Sequence, residues 1–163
     1  MLRMSRIIFV ALLALVALLA GGIAGISQTA LAAGTEETPA ANAEDVDFVA
    51  GKKSVKSKDW QAAIKSFTKV VSREPDNADA HNYLGYASRN LGKMEESFKH
   101  YNTALKLDPK HKGAHEYIGV AYLKVTQPDK AKEHLASLEK ICGKKCEEYE
   151  DLAKAITAYQ SKK

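Results

Sequence analysis

The sequence lacks the motifs on which most enzymes depend. It has no nucleophile-elbow motif to support a Ser-His-Asp triad, no glycine-rich phosphate loop, and no carboxylate pair in an apolar context. Nucleophilic catalysis, phosphoryl transfer and paired-carboxylate acid–base catalysis each require one of these arrangements. The sequence therefore predicts a protein that is not an enzyme, with no catalytic residues, no metal and no cofactor.

An excess of one charge is also missing. The chain holds 24 Lys and Arg residues against 20 Asp and Glu residues, a net charge of +4, and its basic side chains alternate with acidic ones. A nucleic-acid-binding face concentrates Lys and Arg without interleaved acids. We therefore expect no nucleic-acid partner.

The amino-terminal segment contains no acidic residue. Residues 1–32 begin with two arginines, continue as an apolar run and end in Ala30-Leu31-Ala32, the order typical of a signal peptide cleaved after Ala32. We expect a periplasmic or secreted protein. The run from Ile7 to Ile26 is also about long enough to span a bilayer, so the alternative is an inner-membrane anchor facing the periplasm. Residues 33–43 have no aromatic side chain and predict a flexible linker.

A period of 34 residues runs through the rest of the chain. Three glycines recur at this interval, and each is followed by a small residue and then by a large one: Gly51, Ala63 and Phe67; Gly85, Ser97 and Tyr101; Gly119, Ala131 and Leu135. Pro75 and Pro109 end the first two units. Such a period is the signature of stacked helix pairs. Small residues are needed where the two helices of a pair cross closely.

These residues resemble the tetratricopeptide repeat family. The middle unit is the best match, with Leu84-Gly85, Tyr101, Ala104 and Pro109, although His81 stands at the usual Trp position. The resemblance implies an all-α fold, a right-handed helix-turn-helix solenoid of three repeats at 44–77, 78–111 and 112–145. In the third repeat, Gly143 replaces the closing proline.

A further amphipathic helix follows the third repeat. Residues 146–163 place apolar side chains three and four positions apart, as in Leu152, Ile156 and Tyr159. Repeat arrays expose an apolar face at each end, so we expect a C-terminal capping helix. The unshielded end of an array also leaves self-association possible.

Cys142 and Cys146 are the only cysteines, and they leave three interpretations open. An exported chain favours a structural disulfide that fixes the cap. The lysines before Cys146 would favour a redox-active thiolate. Two sulfurs could also bind a metal if two further ligands were supplied, for which His134 is a loose candidate. No His follows Cys146, which argues against a c-type haem.

The five histidines follow the repeat as well. His81 and His115 are 34 residues apart, as are His100 and His134, so we expect packing or solvated roles at equivalent positions. His111 and His115 have a spacing that can bind a metal, but packing or solvated roles are favoured for them as well.

In the tetratricopeptide repeat family, the first helix of each pair lines a concave groove. The resemblance implies that this groove binds a protein or peptide partner, which makes the chain a non-enzymatic adaptor. The alternative is a thiol-redox or metal-carrying accessory protein that uses the cysteine pair. The Lys-Asn clamp of family members that bind chaperone tails is not matched, because Phe48 and Lys52 stand in its places. The predicted groove residues are Phe48, Lys52, Lys56, Asn82, Tyr86, Arg89, Asn90, Glu116, Leu123 and Lys124.

Overall fold

The computed structural model describes residues 45–162. In this range the chain forms seven α-helices and no strand: α1 (Val46–Lys56), α2 (Trp60–Arg73), α3 (Ala78–Asn90), α4 (Met94–Leu107), α5 (Lys112–Lys124), α6 (Pro128–Cys142) and α7 (Glu147–Gln160). The predicted signal peptide at 1–32 and linker at 33–43 lie outside the described residues. Among the described helices, none has the length and apolar character needed to cross a membrane.

The helices pack as consecutive pairs. α1 packs on α2, α3 on α4, and α5 on α6, and each second helix also contacts the next first helix. α5 in addition contacts both α3 and α7. We call α1, α3, α5 and α7 the first-helix row. The predicted all-α helical-repeat fold is confirmed.

Glycine sets the distance between the helices of a pair. A Cβ atom at Gly51 would lie 2.6 Å from the ring of Phe67, and one at Gly85 would lie 2.6 Å from the ring of Tyr101. Both rings are fully buried, so neither can move aside. Ser97, at the usual alanine position, donates its hydroxyl hydrogen to the carbonyl oxygen of Gly85 at 2.8 Å.

The third glycine makes its closest approach outside its own helix pair. A Cβ atom at Gly119 would lie 2.7 Å from a methyl group of Leu152 on α7, so the closest approach is to the cap. The third unit has Leu135 where the others have an aromatic ring. Leu152 fills the space beside the glycine and is fully buried.

The turns inside the three pairs share one backbone feature. Lys58, Gly92 and Thr126, which are 34 residues apart, have φ angles of 60°, 77° and 58°. This left-handed conformation suits glycine, whereas it strains residues with a Cβ atom and β-branched ones most. The backbone of the first and third turns is therefore strained, whereas glycine avoids this strain in the middle turn.

Ion pairs hold the first repeat together. The guanidinium of Arg73 on α2 lies 2.6 Å from a carboxylate oxygen of Asp45 and 2.9 Å from one of Asp47, and the Arg73 hydrogen bond is the main reason that the pKa of Asp45 is below its ordinary value.

α1 also leaves apolar surface uncovered, since Val46 is 80% exposed and Val49 is 43% exposed.

At the other end, α7 closes the array. Leu152 and Ile156 are buried with Leu123, Ala131 and Leu138 in one core cluster. α7 covers the apolar side of α5 and α6 with a helix whose outer face is polar, as a terminal helix does in a repeat array.

Replacing Gly85 by Leu should destabilise the protein by about 1–3 kcal/mol or more, because the added side chain has no space beside the Tyr101 ring. Urea unfolding monitored by circular dichroism measures the loss. Ala136→Leu is the matched control, since Ala136 is an exposed residue of α6 and should tolerate the same side chain. Equal midpoints for the two variants would show that the contact does not limit packing.

Candidate binding groove

The ten predicted groove residues all lie on α1, α3 and α5 of the first-helix row, and they differ in exposure. Lys56, Asn90 and Lys124 are exposed, whereas Phe48, Lys52, Tyr86 and Glu116 are half-buried, and Asn82, Arg89 and Leu123 are buried. A groove built from these positions therefore has a rim of exposed polar side chains and a floor of buried ones.

Two polar side chains of the floor are incompletely paired. Asn82 is 4% exposed and Arg89 is 9% exposed. Oδ1 of Asn82 and Nε of Arg89 are buried and have no hydrogen-bond partner among the described residues. An unsatisfied buried polar atom costs about 1–3 kcal/mol. α3 therefore places one unused acceptor and one unused donor two turns apart in the first-helix row.

Arg89 is held by aromatic rings. Its Nη1 donates to the carbonyl oxygen of Tyr117 at 3.0 Å, and its guanidinium carbon lies 5.0 Å from the ring centre of Tyr86 and 5.7 Å from that of Tyr117. The guanidinium thus sits between two tyrosines, an arrangement that favours a cation. Its position is fixed before any ligand arrives.

The aromatic series extends beyond the predicted residues. The Tyr86 ring lies 4.8 Å from that of Tyr117 and 5.6 Å from that of Trp60. Sequence reasoning did not assign Trp60 or Tyr117 to the groove. A signal for Tyr117 was present, because Tyr83 and Tyr117 are one repeat apart.

Phe48 and Lys52 form the α1 part of the groove. The ring of Phe48 contacts those of Phe67 and Tyr83 at 5.4 and 5.8 Å, and the ammonium of Lys52 lies 5.5 Å above it. Phe48 is therefore partly a core residue. It offers a ligand an aromatic edge beside a positive charge.

Leu123 does not present itself to a partner as the sequence suggested. It is 7% exposed and packs in the core cluster with Leu138 and Leu152. Beside Leu123, a cavity of about 230 Å³ lies between α5 and α7. Its lining includes Val120, Ala155 and Tyr159, together with the small exposed part of Leu123. α7 thus contributes apolar lining residues that the sequence-based assignment did not include.

A larger cavity of about 550 Å³ lies at the amino-terminal ends of α3 and α5. Its lining carries both signs of charge, including Asp79, Lys112 and Glu148. A Cβ atom on Gly113 would lie 3.2 Å from Nδ2 of Asn82. Gly113, which lines this cavity, therefore leaves little room for a side chain next to the Asn82 amide.

Acidic groups meet where α5 contacts α7. Glu116 is half-buried and makes no ion pair or hydrogen bond among the described residues. Burial and then the negative charge of Asp151 raise its pKa, the positive charge of Arg89 lowers it, and the net pKa is about 7. Glu148 is paired with Lys112 at 3.1 Å. Ionised Glu116 therefore lacks a compensating cation of its own.

The cysteines lie behind the groove, at the junction of α6 and α7. A disulfide bond joins Cys142 to Cys146, with Cα atoms 5.9 Å apart. Gly143 between them has a φ of 78°, a conformation that glycine adopts without strain. The sulfur atoms and a carboxylate oxygen of Glu148 lie within 4.8 Å of one another. His134, the loose metal-ligand candidate, instead contacts His115.

The structure separates His111 from His115. Nδ1 of His111 accepts a hydrogen bond from the Ala114 amide and caps α5, while Nε2 lies 3.1 Å from a carboxylate oxygen of Asp79. His115 faces α6. The two rings therefore take different partners despite their favourable spacing in the sequence.

The helix pairs, the first-helix row and its groove together define an all-α helical-repeat protein. A model of the tetratricopeptide repeat family matches residues 50–112. The match supports the predicted resemblance to this family over that part of the chain. Comparison with curated proteins gave no match.

Solved structures share this fold. The TPR2B domain of yeast Sti1, solved in complex with pHsp70, is 19% identical with a TM-score of 0.65, over 72% of this chain and 95% of that one. The first TPR domain of Spaghetti (RPAP3), bound to the HSP90 peptide SRMEEVD, is 22% identical with a TM-score of 0.62, over 71% and 94%. A MamA structure from Desulfovibrio magneticus RS-1 is 23% identical with a TM-score of 0.56, over 58% and 54%. At these identities the similarity establishes the fold.

Replacing Glu116 by Gln should raise the melting temperature at pH 8 and leave it nearly unchanged at pH 4. The pKa of Glu116 is about 7 in the folded protein against an ordinary 4.5. The stability it contributes is therefore fully present below pH 4.5 and is lost as the pH rises through 7. Glutamine carries no charge and avoids this loss.

Thermal unfolding of the parent and the variant across this pH range measures the effect. Glu150→Gln is the control, because Glu150 is an exposed carboxylate in the first turn of α7, as Glu148 is. A Glu116→Gln curve parallel to that of the parent would contradict the assignment of an uncompensated carboxylate.

Proposed function

We propose that the protein is a non-enzymatic adaptor that binds an extended segment of a partner protein in the groove of the first-helix row. The observation that carries the proposal is the pair of unsatisfied buried atoms on α3, Oδ1 of Asn82 and Nε of Arg89. Every residue of an extended peptide offers a backbone N–H and a C=O. Both atoms are buried in the unbound chain, so a bound peptide must displace neighbouring side chains to supply a donor to Asn82 and an acceptor to Arg89.

The aromatic side chains favour the same ligand. Tyr86 and Tyr117 flank the guanidinium of Arg89, and aromatic and arginine residues are enriched where proteins bind one another. Their positions are already fixed by mutual contacts, so little side-chain entropy is lost on binding. Two of the similar structures carry chaperone-derived ligands, named pHsp70 and the HSP90 peptide SRMEEVD, which supports a peptide as the ligand here.

The partner should differ from a chaperone tail. Phe48 and Lys52 occupy the places of the Lys-Asn clamp that the resemblance associates with such tails, and Phe48 is packed against Phe67. The α5–α7 side of the groove is acidic, with Glu116 beside Asp151 and Glu148. An acidic tail would be repelled there, whereas a segment with a basic side chain would be attracted.

Replacing Asn82 by Leu, a residue of similar size, should abolish partner binding while preserving or raising stability. The substitution removes the unsatisfied oxygen and keeps the packing. The partner is captured in native cells by a photo-crosslinking amino acid placed at Lys56, which is exposed on the groove rim, and identified by mass spectrometry. Asn102→Leu is the control, because Asn102 is an exposed residue of α4.

We expect one crosslinked partner that survives Asn102→Leu and disappears with Asn82→Leu, although the melting temperature of the latter is not reduced. Crosslinks that persist in the Asn82→Leu protein would refute binding through this groove. Loss of crosslinks in both variants would indicate a non-specific effect of surface leucine and would also count against the proposal.

We further propose that the adaptor acts in the periplasm or outside the cell after cleavage behind Ala32. Support comes from the signal-peptide pattern of residues 1–32 and from the Cys142–Cys146 bond, since disulfides persist in oxidising compartments. The second candidate, a thiol-redox or metal-carrying protein, draws on the proximity of Glu148 to both sulfur atoms.

The intact mass of the chain isolated from its native cells tests both points. We expect a chain that begins at Ala33 and lacks the two thiol hydrogens, and a Cys142→Ser chain serves as the reference without the bond. A chain that retains Met1 in the membrane fraction would instead identify an anchor. Free thiols or a bound metal in the native mass spectrum would favour the second candidate.

A further inference from the structure

Two pairs of histidines connect helices away from the groove residues. In the first pair, Nδ1 of His81 on α3 lies 3.1 Å from Nδ1 of His100 on α4, and Nε2 of His81 lies 3.0 Å from the carbonyl oxygen of Pro75. A carbonyl oxygen only accepts, so Nε2 of His81 is the donor. In the neutral ring, Nδ1 of His81 is then the acceptor and Nδ1 of His100 is the donor.

The second pair repeats this geometry one unit later. Nδ1 of His115 on α5 lies 2.9 Å from Nδ1 of His134 on α6, and Nε2 of His115 lies 3.1 Å from the carbonyl oxygen of Pro109. Both pairs therefore join a first helix to its second helix and to the turn that precedes the repeat. The same hydrogen-bond network thus occurs twice, at equivalent positions of two repeats. A chance contact between side chains does not explain this repetition.

The number of protons on each pair decides whether this connection survives. With no added proton, one ring donates and the other accepts. With one added proton, the neutral ring still offers an acceptor nitrogen. With both rings protonated, two N–H groups and two positive charges face each other across about 3 Å, and no acceptor remains.

We propose that each pair forms an acid-sensitive histidine clasp between the two helices of its own repeat, the second or the third. The clasp holds while one ring of the pair is neutral and opens when both rings are protonated. The clasp concerns the stability of the repeats, so it does not depend on the identity of any groove ligand.

The surroundings of the first pair do not offset a second proton. From α4, Glu96 and Lys99 act on His100 with opposite signs. From the turn before α3, His81 meets the uncharged carbonyl of Pro75. No carboxylate forms an ion pair with His81 or His100 among the described residues.

The second pair has similar surroundings. From α5, the ring of Tyr122 stacks on His134 with centres 5.6 Å apart, and Lys130 of α6 lies 5.1 Å from the centre of that tyrosine ring. From the turn before α5, His115 meets the carbonyl of Pro109. In the described part of the chain, neither histidine of this pair has an ion-paired carboxylate.

The direction of the effect follows from the protons bound in each state. Burial, and then the charge of His81, lowers the pKa of His100 from 6.5 to about 4, and burial and His115 do the same for His134. Stability from these groups is therefore present above pH 6.5 and is lost as the pH falls through 4. Each group can change the unfolding equilibrium constant by at most about tenfold per pH unit in this window.

The test compares the pH dependence of unfolding in the parent and in a His100→Asn, His134→Asn variant. The amide nitrogen of Asn can take the place of Nδ1 as donor, and after a flip its oxygen can accept from a protonated partner. The variant should therefore keep the contact and lose much of the acid sensitivity. His111→Asn is the matched control, because Asn is a good helix cap and both pairs remain intact.

We expect the melting temperatures of the parent and of His111→Asn to fall steeply between pH 7 and pH 4.5, and that of the double variant to fall much less. Glu116 has the opposite pH dependence, but it is present in all three proteins and cancels from the comparison. An acid-induced fall in the double variant equal to that of the parent would overturn the proposal.

Nitrogen NMR of the unmodified protein provides a test that no folding defect can obscure. We expect Nε2–H tautomers for His81 and His115, Nδ1–H tautomers for His100 and His134, and a scalar coupling across each N–H···N hydrogen bond near pH 7. Ordinary titration of all five rings near pH 6.5, without these couplings, would refute the clasp even if the variants behaved as expected.

Discussion

The close approach between a glycine and a buried side chain sets the spacing of the first two helix pairs and of the cap. Gly51 and Gly85 admit the rings of Phe67 and Tyr101 to distances at which a Cβ atom does not fit, and Gly119 admits Leu152. The helix axes can then approach closely enough to bury the small residues between them. The positions of the side chains on the first-helix row, including those of the groove, depend on these contacts.

The sequence predicted the fold well because these contacts leave a periodic trace. Small, large and turn residues recur every 34 positions, and few other architectures produce that pattern. The contact between Gly119 and Leu152 was not foreseen, since nothing in the period reveals that a side chain of the cap lies beside the third glycine. A pattern within repeats cannot describe the end of an array.

The groove was less predictable than the fold. Family positions locate residues on the correct face, yet they do not give the depth of each side chain. Asn82, Arg89 and Leu123 lie in the floor with little exposure, whereas Tyr117 and the acids of α7 contribute although no groove position includes them. Burial depends on which neighbours approach across the row, and this information is distributed over distant parts of the chain. The histidine pairs show the same limit, because their spacing indicated equivalent roles without revealing the partner of each ring.

The two ends of the described array are unlike, and this difference gives the solenoid a direction. α7 covers one end with buried Leu152 and Ile156 and is joined to α6 by the disulfide, whereas α1 leaves Val46 and Val49 exposed at the other. A head-to-tail filament requires two complementary ends that repeat without limit. With the α7 end covered by a polar helix face, the exposed α1 surface has no apolar counterpart at the opposite end of the described array. The difference between the two ends therefore disfavours head-to-tail growth.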